Sequence, residues 1–419
     1  MALVLGKEGK SCCPYCMGIE RCILNSARCA DVCSYVFHFL FLLYFRKSLL
    51  VYKYTQNFYI FVPQLNLTKK IMKRFLSIAV AIAVALMAGC KPQSHYQMKG
   101  IILDPTDLTS VEWVKMAAEN GINTIGTHMA PGCKAMCAEI SEFILSEKGQ
   151  EFLAECEKYG IDVEHQLHAM KELLPRELFA EDSTMFRMNE EGRRVADVNC
   201  CVHSERALEI IVKNAVEIAK VLRPTNHRYY YWLDDGKPVC QCPECKDFSP
   251  SDQALIIENR IIKGLREIDP EAQLAHLAYH NAVQAPRKVK PVEGIFLEFA
   301  PYFRSWEHPL TDLDVEHRGM THGENLQCLK DNLEVFDSET AIILEYWLDV
   351  SLFSRWKKPA VELPWRRDVF LSDIDTFAKM GVKNVTSFAL FMDAEYFSKY
   401  SATPVKEYGE GLNSYILTE

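Results

Sequence analysis

Eight short β-rich runs alternate with amphipathic helical stretches between residues 98 and 419, and no other feature restricts the fold as much. The runs are GIILDP (100–105), INTIGTH (122–128), DVEHQLHAM (162–170), RYYYWLDD (228–235), AQLAHLAYH (272–280), GIFLEFAP (294–301), AIILEYWLD (341–349) and NVTSFALFM (384–392). Between them lie stretches such as ERALEIIVKNAVEIAKVL and DQALIIENRIIKGLREI, whose apolar residues recur at helical spacing. Parallel neighbours need a crossover, and a helix supplies it. Eight such units predict an α/β fold closed into a (β/α)8 barrel over residues 99–419. An open doubly wound sheet is the alternative. It usually carries a glycine-rich phosphate loop after its first strand, where this chain has LDPTDLT.

Side-chain parity gives each strand two faces. Glu164, Gln166 and His168 share one; so do His276, Ala278 and His280, then Glu298 and Ala300, then Glu345, Trp347 and Asp349, then Ser387, Ala389, Phe391 and Asp393. One face of every strand meets the helix layer, where charge is costly to bury. The polar faces are therefore expected to point into the barrel. Barrel enzymes build their sites at the C-terminal strand ends. The carboxylates expected at that mouth are Asp104, Asp234, Asp235, Glu298, Glu345, Asp349 and Asp393, with His128, His168 and His280 and the aromatics Trp232, Tyr302, Trp306, Trp347 and Phe391.

Carboxylates for proton transfer beside aromatic rings suit cleavage of a glycosidic bond, which needs a protonated acid at the leaving oxygen and a second carboxylate as base or nucleophile. Asp235, at the end of the fourth run and before Gly236, is the expected acid; Asp234 and Asp235 merely capping a loop is the bland reading. Glu298 or Glu345 is the expected partner, and a buried ion pair is the bland reading for each. His128, His168, His280, Tyr302, Trp347, Asp349 and Asp393 are the expected sugar contacts, against capping and core packing.

Cys240, Cys242 and Cys245 follow Asp235 closely as C-x-C-x-x-C. Three thiolates want a fourth ligand for zinc; Cys201, before a helix, is a candidate, and Cys200 or a histidine would serve instead. Such a zinc would be structural; one or two disulfides are the competing reading. No P-loop, HExxH or Ser-His-Asp signal is present. The formal net charge of −9 argues against nucleic acid as a partner.

Residues 72–90, MKRFLSIAVAIAVALMAGC, have the order of a secretory signal: basic Lys73 and Arg74, apolar Phe75 to Met87, small Ala88 and Gly89. Ending on Cys90, the segment resembles a bacterial lipoprotein signal, in which that cysteine is lipidated and becomes the new N-terminus. On this reading residues 1–71 are an upstream extension, disordered or artefactual, 72–89 the signal and 90–98 a tether. The product is exported and touches the envelope membrane only through its lipid. The extension holds six irregularly spaced cysteines and apolar runs without period. A membrane anchor is the rival, but Tyr35 to Phe45 is 11 residues against roughly 20 for a spanning helix.

The stretch from YYYWLDDGKPVC through GIFLEFAPYFRSW resembles a domain of unknown function found in exported bacterial polysaccharide-degradation proteins. That family is regarded as a glycosidase-like barrel distantly similar to α-glucuronidases and β-hexosaminidases. Its marks are Asn-Asp-Gly at a strand end, matched by Asp234, Asp235 and Gly236 with Asp replacing Asn; a C-x-C-x-x-C segment, matched by Cys240, Cys242 and Cys245; and a strand ending Leu-Ala-Tyr, matched by Leu277, Ala278 and Tyr279. Cys201 matches a further cysteine of the pattern. The resemblance implies a carbohydrate substrate, an acid at the Asp235 strand end and no cofactor in catalysis. Three functions stay open: a lipid-anchored glycoside hydrolase, a non-catalytic glycan-binding lipoprotein on the same barrel, and a protein whose cysteines hold a metal used in chemistry.

Overall fold

The computed structural model describes residues 94–130 and 132–417. The upstream extension, the signal and Cys90 lie outside the described residues. Eight strands form one ring: β1 (Met98–Leu103), β2 (Thr124–Thr127), β3 (Asp162–His168), β4 (Arg228–Trp232), β5 (Gln273–Ala278), β6 (Ile295–Phe299), β7 (Ile342–Glu345) and β8 (Asn384–Phe388). Each pairs in parallel with its neighbours in sequence, and β8 pairs with β1 to close the barrel. Seven fall inside the runs read from the sequence, and β1 begins two residues ahead of its run. The fold is a (β/α)8 barrel, not an open sheet. Its N-terminal edge lies within the span expected to be a tether, because Tyr96 is already buried and β1 opens at Met98.

The crossover helices start where local chemistry predicts. Ser249 and Asp252 form a capping box, with Pro250 in the first turn, ahead of the helix Pro250–Ile268. Ser204 caps the helix Glu205–Val221. Among the described residues no helix is long and apolar enough to cross a membrane.

Register decides which side chains look inward. It sets Gly126 beside Glu164, Gln166 beside Tyr230, Leu277 beside Glu298, and Leu344 beside Thr386. These residues belong to the set that continues into the mouth at His168, Trp232, Tyr279, Ala300, Tyr346 and Phe388. The polar faces of β3 and β6 thus point into the barrel as expected. On β5, β7 and β8 the parity is the reverse. His276 meets Glu258 and Ser251 of a helix, at 2.7 Å and 2.9 Å. Glu345 meets Arg304, and Leu344 and Tyr346 take the inward positions. On β8 it is Phe388, not Ser387, that reaches the mouth. The premise failed because the helix layer supplies a partner for His276 and for Glu345, which offsets part of the cost of burying them.

Candidate active site

The C-terminal ends of the strands open onto a cavity of about 640 Å³, within the size range of small-molecule sites. Trp232 and the aromatic side chains of Tyr279, Tyr302 and Tyr346 line it together with Asp234, Asp235, Asp349, His128 and His168. Strands β4 and β7, with the turns that follow them, supply the carboxylates from different parts of the ring.

The two aspartates after β4 have separate environments. Asp234 accepts from Arg176 Nη2 at 3.1 Å and from the Asn199 N–H at 2.6 Å. The Asn199 amide oxygen accepts the Asp234 N–H in return, and Asn199 Nδ2 donates to the Pro238 carbonyl. Asp234 therefore welds its turn to the 199–201 segment. Asp235 is exposed and forms no salt bridge among the described residues. It stands beside Tyr279, whose phenol is pushed well up by burial first and by the Asp235 charge second. The turn needs glycine next: Gly236 has φ +58, and a Cβ there would meet the His280 ring at 3.1 Å.

Asp349 caps the short helix Val350–Phe353. Its Oδ1 accepts from the N–H of Ser351 and Leu352 and from Ser351 Oγ. Burial pushes its carboxyl up to about 6, against those donors, and it forms no salt bridge among the described residues. Each cavity histidine is fixed by a carbonyl. His128 Nδ1 donates to Gln166 at 2.7 Å and His168 Nδ1 donates to Leu233 at 2.6 Å. A ring nitrogen facing a carbonyl must carry the proton, so Nε2 is left as the acceptor. Burial, then the neighbouring His168, hold His128 down to about 4, so it is neutral at pH 7.

Several expected residues are not brought to the cavity. Glu298 points into the barrel but lies beneath Trp232, whose Nε1 donates to it at 2.8 Å. Burial and the nearby Glu164 push its carboxyl well up. Glu345 is in the helix layer, with Arg304 at 2.9 Å and Trp306 Nε1 at 3.0 Å; burial pushes its carboxyl up and the guanidinium draws it back. Trp347 packs on Phe370, Phe377 and Tyr408 and donates to Asp373. His280 sits behind the β4 turn among Tyr279, Tyr302 and Phe303. Asp393 pairs with Lys358 and caps a helix, and Asp104 caps another and holds the Ala130 N–H. Tyr279, Tyr346 and Trp356 line the cavity without having been singled out as contacts. For Trp356 a signal existed, since SRWKK sets it directly between arginine and lysine.

Beside the β4 turn the Sγ atoms of Cys201, Cys240, Cys242 and Cys245 are buried and all lie within 4.8 Å of one another. Cys201 is 3.8 Å from both Cys242 and Cys245. A tetrahedron with Zn–S of about 2.3 Å has edges of roughly 3.8 Å, so the donors fit zinc. A disulfide needs sulfurs about 2 Å apart. The N–H of Met188 and His203 Nδ1 lie against Cys240 and Cys245, as expected around thiolates. Cys201 would be tied to the 240–245 loop, next to the Asn199–Asp234 weld. The metal would be a structural clamp, for four sulfurs leave no open position.

Among the described residues, six of the seven non-glycine residues with positive φ, Asn199, His280, Arg318, Arg355, Trp356 and Phe391, stand in segments on the mouth side of the strands. Such strain concentrates where a structure is held for use.

Residues 139–346 match the family described as "Domain of unknown function (DUF4838)". No curated protein matches the chain in sequence. Among solved structures, a β-N-acetylhexosaminidase from Bacteroides fragilis NCTC 9343 is similar at 12% identity, covering 78% of this chain and 68% of that one, with TM-score 0.49. A glycoside hydrolase family 20 β-N-acetylglucosaminidase is similar at 10% identity, covering 77% and 70%, with TM-score 0.44. A glycoside hydrolase family 5 enzyme from Prevotella bryantii B14 is similar at 10% identity, covering 77% and 99%, with TM-score 0.43. The residues that match this family model, 139–346, include β4, the four clustered cysteines and the start of the β7 turn.

Proposed function

We propose that the protein is a glycoside hydrolase acting on an oligo- or polysaccharide, with Asp235 and Asp349 as its working carboxyls. One observation carries the reading: two carboxyls without cation partners face a cavity walled by aromatic rings and two fixed histidine acceptors. Asp235 gives its proton to the leaving oxygen as the bond to the anomeric carbon breaks. Asp349, ionised above about pH 6, takes the proton of the attacking water or itself attacks the anomeric carbon. His128 and His168 accept sugar hydroxyls through Nε2, and Trp232 supports the ring.

The four cysteines hold a structural zinc that keeps the Asp235 turn in register with the 199–201 segment. Export and lipidation at Cys90 complete the reading; they rest on the order of residues 72–90. Radiolabelled palmitate incorporation that is lost in Cys90→Ser tests that part. Turnover of a panel of aryl glycosides and oligosaccharides tests the central part. Hydrolysis lost in Asp235→Asn is the expected result. Saccharide binding with no turnover of any member would make the protein a glycan-binding barrel instead.

A further inference from the structure

We infer that Trp356 is the stacking platform of an outer subsite, so that the ligand of the cavity is a chain of at least two sugar rings. This rests on the carbohydrate reading of the cavity and adds a residue and a minimum ligand length to it.

The chain has six tryptophans. Five donate Nε1–H to the protein: Trp113 to Met392, Trp232 to Glu298, Trp306 to Glu345, Trp347 to Asp373 and Trp365 to Glu407. Among the described residues Trp356 is the exception. It is 44% exposed and lines the cavity. Its backbone is equally unusual. Arg355 and Trp356 are consecutive left-handed residues, with φ of 55° and 56°. Side chains with a Cβ disfavour that region, and a bulky residue there is an outlier. Burial does not repay the strain, since nearly half of the ring faces solvent. An indole held out at a cavity rim, against its own conformational preference and with a free N–H, has a use as a recognition surface.

The support under it is built. The Trp356 N–H donates to the Ser351 carbonyl at 2.7 Å, and the Val361 N–H donates to Ser354 Oγ at 3.0 Å. Ser351 also donates its N–H and Oγ–H to Asp349 Oδ1. One residue thus fixes both the platform and the carboxyl. Trp232, only 2% exposed, belongs to the interior of the cavity, whereas Trp356 belongs to its rim. A sugar ring lying on the Trp356 face is therefore a second ring. The flat apolar indole suits the C–H face of a pyranose, and the N–H is left for a hydroxyl.

The test is calorimetric titration of the Asp235→Asn protein, which slows turnover, with chains of one to six units from chitin, cellulose and glucuronoxylan. Affinity is expected to rise with length in at least one series. Trp356→Ala in that background should remove about tenfold of the gain, the scale of one aromatic stack, and leave the shortest ligand unchanged. Trp356→Phe should keep most of the gain. Trp356→Gly should lose it without lowering the unfolding midpoint, because glycine accepts the left-handed backbone. A length dependence identical with and without the indole overturns the platform alone. Absence of binding by every chain overturns the carbohydrate reading and the platform with it.

Discussion

The acidic groups of the helix layer differ from Asp235 and Asp349 at the barrel mouth in the company they keep. In the helix layer Glu345 and Asp373 grip Arg304, and Glu258 meets His276. At the mouth, Asp349 is as buried as these and has only backbone and hydroxyl donors, while Asp235 is exposed beside a phenol. A paired carboxylate is committed to holding two elements together. An unpaired one facing a cavity is available for chemistry. Face alone does not separate structural from functional charge in this barrel; the partner does.

The largest effect should come from Asp235→Asn, with turnover of a cleaved glycoside falling by 10²–10⁴-fold and urea unfolding nearly unchanged. The opposite profile is expected for Glu345→Ala, which takes away one of the two buried carboxylates of Arg304 and the acceptor of Trp306 Nε1. It should cost about 3–5 kcal/mol of stability, read by denaturant unfolding. If Glu345→Ala spares the fold and abolishes turnover, the division between the two sets is mistaken. Asp349 gives a pH signature. An unfolded aspartate releases its proton near 4, and the folded one near 6. Folding retains a proton between those values, so stability falls as pH rises from about 4 to 6, by on the order of 3 kcal/mol. Asp349→Asn should flatten that slope while preserving the helix cap. In kinetics it should erase a limb rising through pH 6; a limb falling there would exchange the roles of Asp349 and Asp235. The smallest effect concerns zinc. Purified protein should contain one equivalent by mass spectrometry. At free zinc a hundredfold above Kd the metal adds about 2.7 kcal/mol, lost in Cys245→Ser. Metal-free protein with the same unfolding midpoint would remove the clamp from the account.

What the chain discloses in its sequence is mostly local. The eight strands follow from apolar runs and helical spacing, and Asp235 from its place before a glycine turn. The cysteine cluster was legible because three members fall within six residues. The parity of β5 and β7 was not. Arg304 lies 41 residues from Glu345 and 69 from Asp373, and nothing in AIILEYWLD announces a cation waiting among the helices. Trp347 was misleading for the same reason, since its Nε1 partner is 26 residues away. Asp349 was visible as a strand-end residue, but its burial without a cation depends on how the barrel packs. Trp356 carried its signal in flanking lysines and arginine, while its left-handed backbone could only be seen in the fold.

A crystal structure of Asp235→Asn with an oligosaccharide that it binds tests the central claim most directly. The account predicts a glycosidic oxygen within hydrogen-bond reach of residue 235, with the Asp349 carboxyl facing the anomeric carbon or its attacking water. A saccharide bound away from the mouth, or one lying in the cavity with both carboxyls turned from its linkages, would contradict it.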